Sequence, residues 1–188
     1  MNKIDIEDIN FNLVKINCPA DGHCYFHSIL RSFCVGYING NNSTRYNYVK
    51  KFRKYLAELL KSDNTYELLS NGKLKEYSKE IADYSLKNMI TELNSDDAVN
   101  NLYQELISNF LGIDIYIVDL IKNKIYLSAC DTNILYKNRK SIILGYSYYS
   151  DFDTIGHYDI VGLNTNGKIN TLFSNDHNLI KAIKSKII

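Results

Sequence analysis

Pro19-Ala20-Asp21-Gly22-His23-Cys24-Tyr25-Phe26-His27-Ser28-Ile29-Leu30 reads as a tight turn that delivers a cysteine onto the first turn of an amphipathic helix. Asp21 and Gly22 break regular structure, and Phe26, Ile29, Leu30, Phe33 and Cys34 then recur at the spacing of one helical face. Gly36 is the expected stop. N–H groups at a helix start lack internal acceptors and together carry roughly half a positive charge, which stabilises an anion placed there. A thiolate is such an anion.

Before this stretch, residues 1–20 alternate weakly through Ile4, Ile6, Ile9, Phe11, Leu13 and Ile16 and read as an extended lead-in packed on the domain. After it, the turn cluster Asn39 to Ser43 precedes a long half-buried helix, capped by Ser43 or Thr44, with Tyr48, Val49, Phe52, Leu56, Leu59 and Leu60 on its apolar face. Asp63-Asn64 and Asn71-Gly72 punctuate the chain, and a further helical pattern runs through Leu74, Tyr77, Ile81, Tyr84 and Met89. The best-marked helix starts at Ser95, with Asp96 and Asp97 in its first turn, and ends at Gly112.

There the period changes from 3.6 to 2. Residues 113–119 form a largely buried strand, joined through Lys122-Asn123 to a second at Lys124 to Ala129; Ser141 to Tyr146 is a third. An acidic, irregular segment from Tyr148 to Gly156 leads into His157 to Leu163. Asn166-Gly167 turns this back into Lys168 to Phe173 as a hairpin, and a short helix at about 175–186 covers one face of the sheet. Helices first and strands afterwards make an α+β pattern: N-terminal helices around a mixed, mostly sequential sheet of about five strands, then a C-terminal hairpin and helix.

The chain of 188 residues, 45% apolar, suits one domain burying about 70% of its unfolded surface. A net charge of +1 supplies no field for nucleic acid or an anionic membrane. The run Lys50-Lys51-Phe52-Arg53-Lys54 reads as a solvated helix face. Four cysteines without CxxC spacing, and no secretory leader or apolar run of about 20 residues, point to free thiols in a soluble protein of a reducing intracellular compartment. Cys18, Cys34 and Cys130 are taken as structural.

A free cysteine titrates near 8.5, and a helix start plus an imidazolium can lower that to about 3.5–7.5. The imidazole must come from His23, His27, His157 or His177. Only His157 has a carboxylate two residues on, Asp159, and side chains at i and i+2 share a strand face, so nucleophile, base and orienting group are all present. His27, one turn along the same helix, ranks below it, and His177 reads as a residue in the first turn of the last helix. If Asp159 is not the orienter, Asn164, Asp151 and Asp153 come next. Peptide N–H groups of Asp21, Gly22 and His23, with that of Cys24, can converge on a developing oxyanion.

These residues carry a resemblance. Asp21-Gly22-His23-Cys24-Tyr25-Phe26 resembles the Asp-Gly-Asn-Cys-Leu-Phe signature of OTU (ovarian tumour) cysteine proteases, and His157-Tyr158-Asp159 resembles their second motif. Leu111-Gly112 and the strand after it resemble the family's helix and central strand. The likeness spans about residues 15–163 of a single catalytic domain, 1–188, with 164–188 as an extension. It implies a papain-like α/β arrangement, no cofactor or metal, and a monomer that cleaves ubiquitin, polyubiquitin or a ubiquitin-like modifier from lysine through an acyl-enzyme, in the cytoplasm or in that of a host cell. Cys24 falls on the nucleophile, His157 on the general base, Asp159 on its orienting group and Asp21 on the aspartate near the oxyanion loop. Three features depart from the pattern: His23 stands where Asn is usual, a Trp-Gly before the middle helix is absent, and some 25 residues follow the histidine strand. The implied modifier-binding surface lies at about residues 37–95.

Two other readings compete. One is an inactive ubiquitin-binding module on the same scaffold. The other is a zinc site drawn from Cys18, His23, Cys24, His27 and Cys34, whose spacing matches no zinc pattern.

Overall fold

A computed structural model of the chain describes residues 2–62, 64–99, 101–126, 132–148 and 156–187. The expected lead-in is part of the sheet: β1 (Asn2–Ile6) and β2 (Ile9–Ile16) form an antiparallel hairpin turned at Asp8, whose φ is 61°. Next come β3 (Ile113–Asp119), β4 (Lys124–Ile125), β5 (Lys140–Ser147), β6 (His157–Thr165) and β7 (Lys168–Asn170). Their order is β1-β2-β6-β5-β3-β4, with β7 also on β6. The β3–β5 pair is parallel and the others antiparallel. The α+β class holds, and the sheet gains width because alternation too weak to mark strands places Leu13 opposite Leu163 and Ile16 opposite Ile160.

Every residue of β3 is buried, and its two faces serve two cores. Ile113, Ile115 and Ile117 face the helical side; Tyr116 and Val118 face a smaller core with Ile4, Ile6 and Leu13. The last helix closes that smaller core through Leu179, Ile180 and Ile183. The Asn166-Gly167 turn is present as expected, with both residues at positive φ.

The helices are α1 (Cys24–Phe33), α2 (Val35–Ile38), α3 (Asn42–Lys61), α4 (Thr65–Leu68), α5 (Leu74–Tyr77), α6 (Leu86–Asn94), α7 (Gln104–Leu111), α8 (Thr132–Leu135) and α9 (Asn178–Lys184). Several bounds differ from expectation. The first helix ends at Phe33, and Gly36 lies inside α2, where a Cβ would run into the Tyr48 hydroxyl of α3; the glycine serves a helix contact and not a stop. Asn41, not Ser43 or Thr44, caps α3, its side chain accepting the Thr44 N–H at 2.9 Å. The single helical run foreseen from Leu74 to Met89 is broken. α5 ends at Tyr77, Ile81 is extended at φ −122° and ψ 104°, and the Ser85 side chain starts α6. α9 starts at Asn178, with His177 as its cap and not in its first turn. The strand foreseen at Lys124 to Ala129 covers Lys124 and Ile125; residues 127–129, like Cys130 and Asp151 to Asp153, lie outside the described residues.

The helix foreseen from Ser95 forms only as α7, ending at Gly112, because residues 95–99 are held in another path by a buried arginine. Arg53 donates from Nε to the Leu93 carbonyl (3.2 Å), from Nη2 to Glu92 (2.6 Å) and from Nη1 to Asp97 (3.0 Å). The solvated face expected of residues 50–54 is thus corrected at Arg53, which is 1% exposed, while Lys50, Lys51 and Lys54 are exposed.

Asp114 fixes how the parallel pair begins. Fully buried, it accepts from Arg139 Nε (2.7 Å) and from the backbone N–H groups of Lys137 and Arg139 (3.1 Å each). Removing one partner of a buried pair leaves the other charge uncompensated, so Asp114→Ala should lower the unfolding free energy in guanidinium titrations by about 3 kcal/mol.

Candidate active site

The site is built at the start of α1. Asp21 Oδ1 accepts the His23 N–H at 3.0 Å, closing a turn in which Gly22 stands at φ +84°. A Cβ on Gly22 would sit 3.0 Å from the Asp96 carbonyl, so both conformation and space require glycine. His23 follows at φ −106°, ψ 12°, near the sparsely occupied bridge region, and its carbonyl accepts the His27 N–H (2.9 Å) to open the helix. The N–H of Cys24, the first helical residue, has no intrahelical acceptor.

Both nearby histidines are committed elsewhere. His27 Nε2 meets Asp21 Oδ2 at 3.0 Å and its Nδ1 meets the Tyr37 hydroxyl at 2.5 Å, tying the turn to α2. Burial lowers the His27 pKa against the opposing pull of Asp21. His23 Nδ1 lies 2.6 Å from Arg53 Nη1. A guanidinium can only donate, so Nδ1 is an acceptor and the proton sits on Nε2, 3.6 Å from Asp96 Oδ1. Burial, then the Arg53 charge, lowers the His23 pKa in agreement. Among the described residues no three His, Cys, Asp or Glu side chains are placed to hold a metal ion.

The distant pair arrives on β6. His157 Nε2 lies 3.0 Å from Asp159 Oδ1. The thiol of Cys24 sits against the same strand: its Sγ accepts the Tyr158 N–H at 3.5 Å and lies 4.0 Å from the Gly156 carbonyl. Hydrogen bonds to Asp159 and then to Cys24 outweigh burial and push the His157 pKa up to about 10. Since Nε2 serves Asp159, Nδ1 is the nitrogen left for the thiol. Behind them the Tyr158 ring packs on Tyr25 (4.8 Å between centroids) and Tyr146 (5.0 Å), locking β6 to α1 and β5.

Asp159, 1% exposed, also accepts the Cys18 N–H at Oδ1 (2.8 Å) and Lys15 Nζ at Oδ2 (3.2 Å). Burial alone would raise its pKa; the bonds from His157, Cys18 and Lys15 outweigh it and hold the carboxyl below its ordinary value. Cys18 is buried, its thiol pushed up to about 12 by burial and by Asp159.

The structure therefore brings Cys24, His157 and Asp159 together, with Asp21, Gly22 and His23 in the adjoining turn. The His23 N–H is spent on Asp21, which narrows the expected set of loop amides. His177 caps α9, its Nδ1 accepting the Leu179 N–H, and Asn164 accepts the Gly167 N–H in the β6–β7 turn. Sequence reasoning missed Lys15, Tyr37 and Arg53. Only Arg53 left a signal, since it falls on the Val49, Leu56 and Leu60 stripe of α3.

A solved ovarian tumour (OTU) domain in complex with ubiquitin aligns with 98% of this chain and 88% of its own, with a TM-score of 0.59 and 16% sequence identity. The fold is of the OTU type. No protein-family model matches the sequence, and no curated protein sequence does so either. The likeness is one of backbone path, and it extends over the N-terminal hairpin and the C-terminal extension of this chain. Among the described residues no helix is long and apolar enough to cross a membrane.

A histidine pKa raised from 6.5 to about 10 on folding means that the folded state binds the proton more tightly. The stabilisation is complete below about pH 6.5 and is lost as pH rises toward 10. The difference in Tm between the chain and its His157→Ala variant should therefore be largest near pH 6 and shrink steadily in melts at higher pH.

Proposed function

We propose that this OTU-type chain is a cysteine-dependent deubiquitinase acting as one catalytic domain, with ubiquitin, polyubiquitin or a ubiquitin-like modifier as its substrate. The observation that carries the reading is the placement of Cys24, at the first turn of α1, against a strand that holds the His157–Asp159 pair at 3.0 Å. The OTU domain that shares the fold is bound to ubiquitin, which supports the choice of partner.

In the proposed mechanism the imidazolium of His157 and the thiolate of Cys24 form an ion pair at the mouth of the site. Sγ attacks the carbonyl carbon of the modifier's C-terminal residue, and the carbonyl π electrons move onto oxygen, where the Cys24 N–H and the positive end of α1 stabilise them. Collapse of this adduct breaks the C–N bond, and His157 gives its proton to the departing lysine amine. Neutral His157 then takes a proton from water as that water attacks the thioester; the C–S bond breaks and the thiolate returns. Asp159 holds the ring in one orientation and stabilises its charged form without entering a bond change. A thiol used in this way needs a reducing compartment.

Ubiquitin bearing a C-terminal electrophile should become attached to Cys24 and leave Cys24→Ala unmodified. Non-covalent binding of ubiquitin with no attachment would overturn the enzymatic reading in favour of a binding module. In a linear-rate assay on ubiquitin dimers, Asp159→Ala should lose about 10²- to 10⁴-fold in kcat, less than Cys24→Ala or His157→Ala.

A further inference from the structure

The environment of Arg53 is more than a structural staple requires. A buried guanidinium is costly unless its donors are satisfied, and the carbonyls of Glu92, Leu93 and Asp97, with the Phe26 ring 5.1 Å below the charge, already tie α3 to the end of α6 and the segment after it. The remaining contact leaves that framework. Nη1 reaches His23 Nδ1 at 2.6 Å, and His23 is the residue before Cys24. His23 is thereby held at three points: its N–H by Asp21, its carbonyl by the His27 N–H and its ring by Arg53. The peptide unit joining His23 to Cys24 has one orientation, and the donor it carries is the Cys24 N–H.

We infer that Arg53 is a positioning residue which, by clamping His23 as the neutral Nε2–H tautomer, aims the Cys24 N–H at the oxygen of an acyl group undergoing attack by Sγ. The inference rests on Cys24 being an acyl-transfer nucleophile and is independent of which modifier it cleaves. Geometry supports the direction of aim: a carbonyl carbon bonding to Sγ brings its oxygen beside the same residue's N–H, and no intrahelical acceptor competes for that hydrogen.

Two reactions of one thiol separate aim from reactivity. With p-nitrophenyl acetate a C–S bond forms, the ester C–O bond breaks and p-nitrophenolate leaves, through an adduct that needs an oxyanion donor. With iodoacetamide a C–S bond forms and iodide leaves, with no oxyanion. Rates are read at Cys24 by peptide mass spectrometry. Arg53→Lys and His23→Leu should slow acylation about 10- to 100-fold while changing alkylation by less than about twofold. His23→Asn, whose Oδ1 occupies nearly the position of Nδ1, should lose less than His23→Leu. If Arg53→Lys does not fold, as judged by circular dichroism, the two His23 variants decide the matter alone. Equal losses in both reactions, or unchanged acylation, would overturn the inference. Split rates in a chain that leaves ubiquitin amides intact would instead sink the deubiquitinase reading and leave the clamp standing.

Discussion

The Asp159 carboxylate is the constraint on which the site depends. A charge this deeply buried persists only if its oxygens are met by donors, and the donors come from three separate pieces of chain: His157 on the same strand, the backbone N–H of Cys18 ahead of the turn, and Lys15 at the end of β2. Meeting that demand places the N-terminal hairpin beside β6. It also brings the Pro19 to His23 turn across the start of β6, which is where Cys24 must be to touch Tyr158.

A second buried charge plays the matching part on the helical side. Arg53 takes carbonyls from the end of α6 and the segment after it, so that segment leaves the helical path, and the Asp96 carbonyl comes to rest against Gly22. The turn that carries Cys24 is thus bounded by an anion network on one flank and a cation network on the other. Within the turn, His23 is held by Arg53 and Asp21 by His27.

Features governed by local chemistry were readable from the residues. The helix start at Cys24, the shared face of His157 and Asp159, the Asn166-Gly167 turn and the apolar stripe of α9 each follow from a few adjacent positions. Features governed by distant partners were not. The alternation of β1 and β2 gains meaning only once β6 is known to lie alongside, and Ser95-Asp96-Asp97 carries every mark of a helix cap while Arg53, over 40 positions earlier, claims the Asp97 carbonyl. Gly36 has the look of a stop, and only the approach of Tyr48 explains it. Lys15 is indistinguishable by sequence from any strand-end lysine.

The spacing of the site along the chain also bears on how the protein is made. Asp159 and the Cys18 amide it binds are 141 residues apart, and Tyr158 and Cys24 are 134 apart. Contacts of such long range close late in folding, since the loop entropy must be met before the contact is gained. During synthesis, Cys24 leaves the ribosome with its turn and helix long before β6 exists to supply an imidazole. Until then Cys24 stands without the imidazole of His157, so the proposed nucleophile meets its proposed base only when the sheet around it is complete.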